Sequence, residues 1–319
     1  MLSEKYLAGF LDSDGSVWMQ YTKEGWKPSI CMLFSQKTSQ DEVLSLIQED
    51  YGGTLKQQTI KGVQYSSLGI YSKAAVGILN RIKKYLVIKR HYVEACLEVE
   101  RQRTDSIEKT KAYLKEQRKV RSLPLPNFPS RKWLAGYLDG DGCFHGRVTG
   151  RYGSASIQLH VAASNYDTEG LEIIHKAFGG GLYDMCNGRV TQYRVMLPPS
   201  KAKSVLPYFA KHMIVKRDQV YFILGCAEMG HYRDGKYITA TLKHLKAHEH
   251  RLNEPRVDVA KLVDCIKNVP KPWNKKGLAA CVKCERSDQK HICFGLCRTC
   301  YLEQQRNKTA TTYATVEAA

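Results

Sequence analysis

The chain has 319 residues, 43% of them hydrophobic and 25% charged, enough for two domains with cores and too apolar for wholesale disorder. No run of eighteen apolar residues occurs, and the opening MLSEKYLAGFLDSD carries charge where a signal peptide needs an apolar stretch. The expectation is an intracellular, non-secreted protein without a membrane span. Lys and Arg number 49 against 31 acids, a formal charge of +18 that points to a polyanionic partner, nucleic acid first.

Internal similarity organises the rest. KYLAGFLDSDGS (Lys5–Ser16) returns as KWLAGYLDGDGC (Lys132–Cys143), an offset of 127 residues. That offset also pairs Ser3 with Ser130, Gly52-Gly53 with Gly179-Gly180, and Ile88-Lys89-Arg90 with Val215-Lys216-Arg217. The chain therefore reads as a tandem duplication, with units at 1–100 and 130–240.

Each unit opens with a helix, N-capped at Ser3 or Ser130 and ending in Asp-x-Asp-Gly. Two strands follow, joined through Lys23-Glu24-Gly25 or through Thr149–Gly153. In the second unit, Ser154, Ser156, Gln158 and His160 alternate with Ala155, Ile157, Leu159 and Val161, the pattern of a strand buried on one face. A helix spans Asp41–Tyr51 or Glu169–Phe178 and stops at the glycine pair. A second hairpin turns at Lys61-Gly62 or Asn187-Gly188, and a helix carries Ala74–Lys84 or Ala202–His212. The unit is α-β-β-α-β-β-α, an α+β fold. Residues 101–129 form a linker, charged and helical until Leu123-Pro124-Leu125-Pro126. Residues 241–275 read as a helical extension, 276–305 as a cysteine module and 306–319 as a tail.

The opening helices carry the chemistry. Gly9 and Ser13, like Gly136 and Gly140, are four apart and share one helical face, so the two helices can approach closely. Acids at a helix C-terminus are disfavoured by the dipole, and two such ends side by side add mutual repulsion. A divalent cation between Asp14 and Asp141 removes both penalties. A calcium loop of the EF-hand type does not fit, because Gly15 falls at its fourth position and Lys23 at its twelfth.

The two nonapeptides, Leu7–Gly15 and Leu134–Gly142, resemble the signature of the LAGLIDADG homing endonucleases in their two-motif, single-chain form. The resemblance covers residues 1 to about 240. It implies a pseudo-twofold pair of αββαββα units meeting at the motif helices, with two curved antiparallel sheets forming a saddle over double-stranded DNA. It further implies that Asp14 and Asp141, helped by the carbonyls of Ser13 and Gly140, hold catalytic Mg²⁺ or Mn²⁺. Gln36 fits the family's glutamine at the end of the second strand, and Lys89 and Lys216 fit its lysine before the last helix. The second unit departs at Ala163, the counterpart of Gln36, so the two cleavages are expected to differ in rate.

Polar strand faces are the expected DNA readers: Tyr21, Lys23, Trp26, Lys27, Lys56, Gln58 and Gln64 in the first unit, and Arg147, Arg151, Gln158, His160, Arg189, Gln192 and Arg194 in the second. A strand of about eight residues spans roughly 26 Å, so two halves cover on the order of sixteen to twenty-two base pairs. The resemblance stops short of the C-terminal module. There Cys281-Val-Lys-Cys284 and Cys297-Arg-Thr-Cys300, twelve residues apart, have the spacing of a structural four-cysteine Zn²⁺ site, with His291 and Cys293 as spare ligands. The resulting reading is a monomeric, metal-dependent homing endonuclease promoting mobility of its intron or gene. An RNA maturase assisting splicing and a non-cleaving DNA-binding regulator share the fold, but both are expected to lose the motif acids.

Overall fold

A computed structural model describes residues 1–21, 28–102, 106–120, 130–148, 155–163, 168–184, 193–197, 199–229, 235–247, 257–267, 280–289, 291–293 and 296–304. In the first unit α1 (Glu4–Ser13) leads into β1 (Gly15–Tyr21), β2 (Pro28–Lys37), α2 (Glu42–Tyr51), β3 (Thr54–Ile60), β4 (Val63–Tyr71), α3 (Ser72–Ile82) and α4 (Arg90–Gln102). After α5 (Ile107–Gln117), the second unit repeats the series as α6 (Arg131–Asp141), β5 (Gly142–Val148), β6 (Ala155–Ala163), α7 (Glu169–Phe178), β7 (Gly181–Asp184), β8 (Tyr193–Leu197), α8 (Pro199–Phe209) and α9 (Arg217–Met229). The expected order is borne out, and one further helix, α4 or α9, closes each unit.

The 127-residue offset holds at the level of hydrogen-bond register. Gly15 pairs with Phe34 and Gly142 with Val161; Gln36 pairs with Ser66 and Ala163 with Tyr193. Both sheets are four-stranded and antiparallel, ordered β1-β2-β4-β3 and β5-β6-β8-β7. The predicted turn at Lys61-Gly62 is present with φ of 51° and 79°, the paired positive values of a two-residue hairpin turn that a glycine eases. Gly52 and Gly179, with φ of 73° and 70°, end α2 and α7 as expected.

One face of each sheet is covered by helices. In the first, Val17, Met19, Ile30, Met32, Phe34, Leu68 and Ile70 turn inward onto the core, which α1 and α6 join through Leu7, Phe10, Leu11, Leu134, Tyr137 and Leu138. The central contact of the molecule is α1 against α6. The helical extension resolves into α10 (Gly235–Ala247), packed along the edge strand β5, and α11 (Val259–Lys267), packed on α9. The expected boundary at 240 therefore falls inside α10, whose Ile238, Leu242 and Leu245 are buried in the core of the second unit. At the C-terminal end β9 (His291–Cys293) and β10 (Leu296–Cys297) form a small hairpin with a separate buried cluster.

Candidate active site

The α1–α6 seam is as close as the glycines allow. A Cβ added at Gly9 would overlap the Trp133 carbonyl and lie 3.0 Å from Tyr137 N; one added at Gly136 would overlap the Tyr6 carbonyl and lie 2.9 Å from Phe10 N. Near the carboxyl ends, a Cβ on Gly140 would overlap the Ser13 side chain and lie 3.1 Å from Asp14 N. The two Asp-x-Asp-Gly segments are thus neighbours, which brings Asp14 and Asp141 together at the end of the seam.

Two lysines close the helix ends. Lys89 Nζ donates to the carbonyls of Leu11 (2.7 Å), Asp12 (2.9 Å), Ser13 (3.1 Å) and Gly15 (2.8 Å). Lys216 Nζ donates to those of Leu138 (3.1 Å) and Gly140 (2.6 Å). Helix C-termini leave carbonyls without partners and carry partial negative charge, and an ammonium satisfies both. The Ser13 and Gly140 oxygens expected beside the metal are thus among the carbonyls that hold these lysines.

Sequence reasoning missed the other acid of each motif. Asp12 and Asp139 are buried, and each accepts from two backbone amides of its own unit: Val87 N and Lys89 N (both 2.8 Å) on Asp12, and Ile214 N (2.7 Å) and Lys216 N (2.9 Å) on Asp139. Each also accepts from the opposite unit. Trp133 Nε1 lies 2.9 Å from Asp12, and Tyr6 Oη lies 2.6 Å from Asp139. Recurrence at the 127-residue offset was the available signal, since Tyr6 and Trp133 are themselves a matched pair.

Asp14 is half-buried and accepts from the Gln36 side-chain amide, the contact expected of that glutamine. Burial lifts its carboxyl above the ordinary range, against the opposing pull of Lys216, the Gln36 amide and Lys89. Lys216 is shifted down by burial, opposed by Asp139, Asp14 and Asp141 in that order. Ala163, the last residue of β6, holds the register position that Gln36 holds one residue before the end of β2, and alanine has no amide to offer Asp141. Hard carboxylate oxygens at two facing helix ends suit a divalent metal.

The open face of the first sheet carries Ser16, Trp18, Gln20, Lys37, Tyr65, Lys56 and Gln58, as the cross-strand register dictates. Lys56 and Gln58 are exposed there as expected. Tyr21 is a correction: it shares parity with Val17 and Met19, packs against the core and lies under Lys111. Gln64 is exposed but lies on the opposite face from Lys56 and Gln58. Arg194 is half-buried on β8, opposite Tyr183 and Ala162. Lys23, Trp26, Lys27, Arg151, Arg189 and Gln192, together with the side chains of Arg147, Gln158 and His160, lie outside the described residues.

Residues 134–228 match the family model described as LAGLIDADG endonuclease. The fold is similar to that of solved structures of this family. The LAGLIDADG homing endonuclease I-GzeII in complex with DNA target aligns over 80% of this chain and 100% of its own, with TM-score 0.56 and 19% identity. The meganuclease I-AabMI bound to uncleaved DNA aligns over 78% and 100%, with TM-score 0.58 and 16% identity. I-SmaMI, bound to uncleaved DNA target in the presence of calcium ions, aligns over 77% and 98%, with TM-score 0.56 and 17% identity. The fold is that of the LAGLIDADG homing endonucleases. The two motif helices form the seam, and their Asp-x-Asp-Gly ends lie side by side at one end of it. No curated protein is similar to the chain in sequence. Among the described residues no helix is long and apolar enough to cross a membrane.

Proposed function

We propose that the protein is a monomeric, site-specific DNA endonuclease that makes a Mg²⁺- or Mn²⁺-dependent double-strand break and so promotes the mobility of its intron or gene. The observation that carries this reading is the convergence of Asp14 and Asp141 at the ends of two packed helices in one chain. I-AabMI and I-SmaMI are each bound to uncleaved DNA in solved structures, and I-SmaMI also to cleaved DNA, which supports a duplex substrate across the sheet faces.

Asp14 and Asp141, with the Ser13 and Gly140 carbonyls, are the donor set for divalent cations. When bound, such ions polarise a phosphate, activate a water and stabilise a leaving oxygen. The chain's own residues do the rest. Gln36 holds the Asp14 carboxylate in orientation through its amide. Lys89 and Lys216, fixed by their carbonyl contacts, place positive charge beside the acids where charge builds on a phosphate. The exposed Lys56 and Gln58 contribute backbone and base-edge contacts on the open face.

The test is incubation of the full chain and Mg²⁺ with DNA spanning the uninterrupted insertion site of its own gene. A double-strand break within that DNA is expected. Tight binding without a break would favour the non-cleaving regulator, and preference for intron RNA the maturase.

A further inference from the structure

We infer that the C-terminal module is a closed zinc centre whose fold depends on the metal. Cys281, Cys284, Cys297 and Cys300 bring their sulfur atoms within 4.8 Å of one another. Cys284 Sγ and Cys297 Sγ are 3.7 Å apart, against an edge of about 3.8 Å for a tetrahedron with Zn–S bonds of about 2.3 Å. The backbone is shaped around the sulfurs: Glu285 N donates to Cys281 O (2.8 Å), Cys281 N to Arg286 O (3.0 Å), and Cys297 N to Cys281 Sγ (3.3 Å). The register of the β9–β10 hairpin sets Cys297 opposite His291.

The module has too little core to fold without help. Among the described residues, its buried cluster consists of Cys281, Leu296, Cys297 and Cys300, with Cys284 and Tyr301 packed against it. One leucine cannot offset the entropy of ordering some twenty residues at about 1–2 kcal/mol each. Metal–thiolate bonds supply what the core lacks. Four protein ligands leave no open position, so this metal takes no part in hydrolysis. Lys283 and Arg286 are each paired with an acid of the module, Glu303 (2.6 Å) and Asp288 (2.6 Å).

Elemental analysis of the full chain is expected to give one zinc per protein, lost in both Cys281→Ser and Cys300→Ser. Cobalt exchanged into the site should show the absorption of a tetrahedral thiolate complex. Chelation should open the segment after residue 280 to protease while the remainder stays protected. Absence of zinc, retention of zinc by both variants, or recovery of iron in its place would overturn the assignment.

A second inference rests on the seam and on the endonuclease reading. The structure assigns Tyr6 and Trp133 as positioning residues that wire each unit to the lysine of the other. Tyr6 Oη holds Asp139, which holds the backbone of Lys216; Trp133 Nε1 holds Asp12, which holds the backbone of Lys89. Removing either donor frees one lysine-bearing segment and leaves the other braced. In single-turnover cleavage of a target labelled on both strands, Tyr6→Phe and Trp133→Phe are each expected to change the ratio of the two strand rates by about tenfold, in opposite directions. Equal slowing of both strands, or the same strand affected by both variants, would overturn the assignment. Failure of the unaltered protein to cut at all counts against the endonuclease reading alone. Independently of DNA, the Tm shifts of Tyr6→Phe and Asp139→Asn must be non-additive in the double variant; additive shifts refute the brace.

Discussion

Replacing Gly136 by alanine isolates the seam from every other feature of the fold. In an exposed helix, Gly→Ala stabilises by about 1 kcal/mol, because glycine loses more backbone entropy on folding. At Gly136 the new methyl would overlap the Tyr6 carbonyl and lie 2.9 Å from Phe10 N and 3.0 Å from Tyr6 C. Backbone cannot rotate away, so α1 and α6 must separate by about 1 Å to relieve the overlap with the Tyr6 carbonyl. A gap of roughly 0.5–1 Å forfeits about a quarter to a half of each dispersion contact across it, and Leu7, Phe10, Leu134 and Tyr137 are all fully or almost fully buried there. Overpacking of this kind costs about 1–3 kcal/mol, and loosened seam contacts add to it, for a net loss of about 2–3 kcal/mol after the helix gain. At roughly 2–4 °C per kcal/mol, Tm should fall by about 5–10 °C. Gly77, in α3, is the internal control: a Cβ there would meet nothing within 4 Å, and Gly77→Ala should raise Tm slightly. A rise in Tm for Gly136→Ala as well would refute the close seam, because the sign itself separates a packed site from an open one.

Gln36→Ala removes a charge-assisted hydrogen bond worth about 1.5–3 kcal/mol and should slow the Asp14-dependent strand about 10- to 100-fold, read from strand-resolved nicking; an unchanged rate on that strand would count against the asymmetry with Ala163. With roughly six to ten phosphate contacts, affinity for target DNA should fall about 10³–10⁵-fold between 50 and 200 mM salt, and a nearly flat log–log plot would argue against a backbone-tracking surface. Lys271, Lys275, Lys276, Lys290, Arg298 and Arg306 make the C-terminal segment basic, so deleting residues 270–319 should weaken binding and shorten the protected footprint on one side while the cut stays at the same bonds; an unchanged footprint would refute DNA contact by the module.

The duplication makes most of the fold legible. Local signals such as the Asp-x-Asp-Gly ends, the glycine pairs and Lys61-Gly62 fall where the elements begin and end, because each depends on residues close in the chain. Tyr21 falls on the wrong face when residue type outweighs parity: with Val17 and Met19 facing the core, the next residue in step must follow them. The same parity sends Trp18 and Gln20 to the open face. Asp12 and Asp139 are hidden for a different reason. The partners of Asp12 lie 75 to 121 residues away, and no local pattern announces a carboxylate that fastens a distant turn. The placement of α10 along β5 is likewise a tertiary outcome, since its amphipathic face names no partner.

The most direct test of the central claim is cleavage of the gene's own uninterrupted insertion-site DNA by the unaltered protein and by Asp14→Asn and Asp141→Asn, with binding measured in parallel by gel shift. Both strands should be cut by the unaltered protein in Mg²⁺ and neither in excess chelator, while each variant binds the target and makes no double-strand break. Full double-strand cutting by either variant would contradict the assignment of Asp14 and Asp141 to the metal.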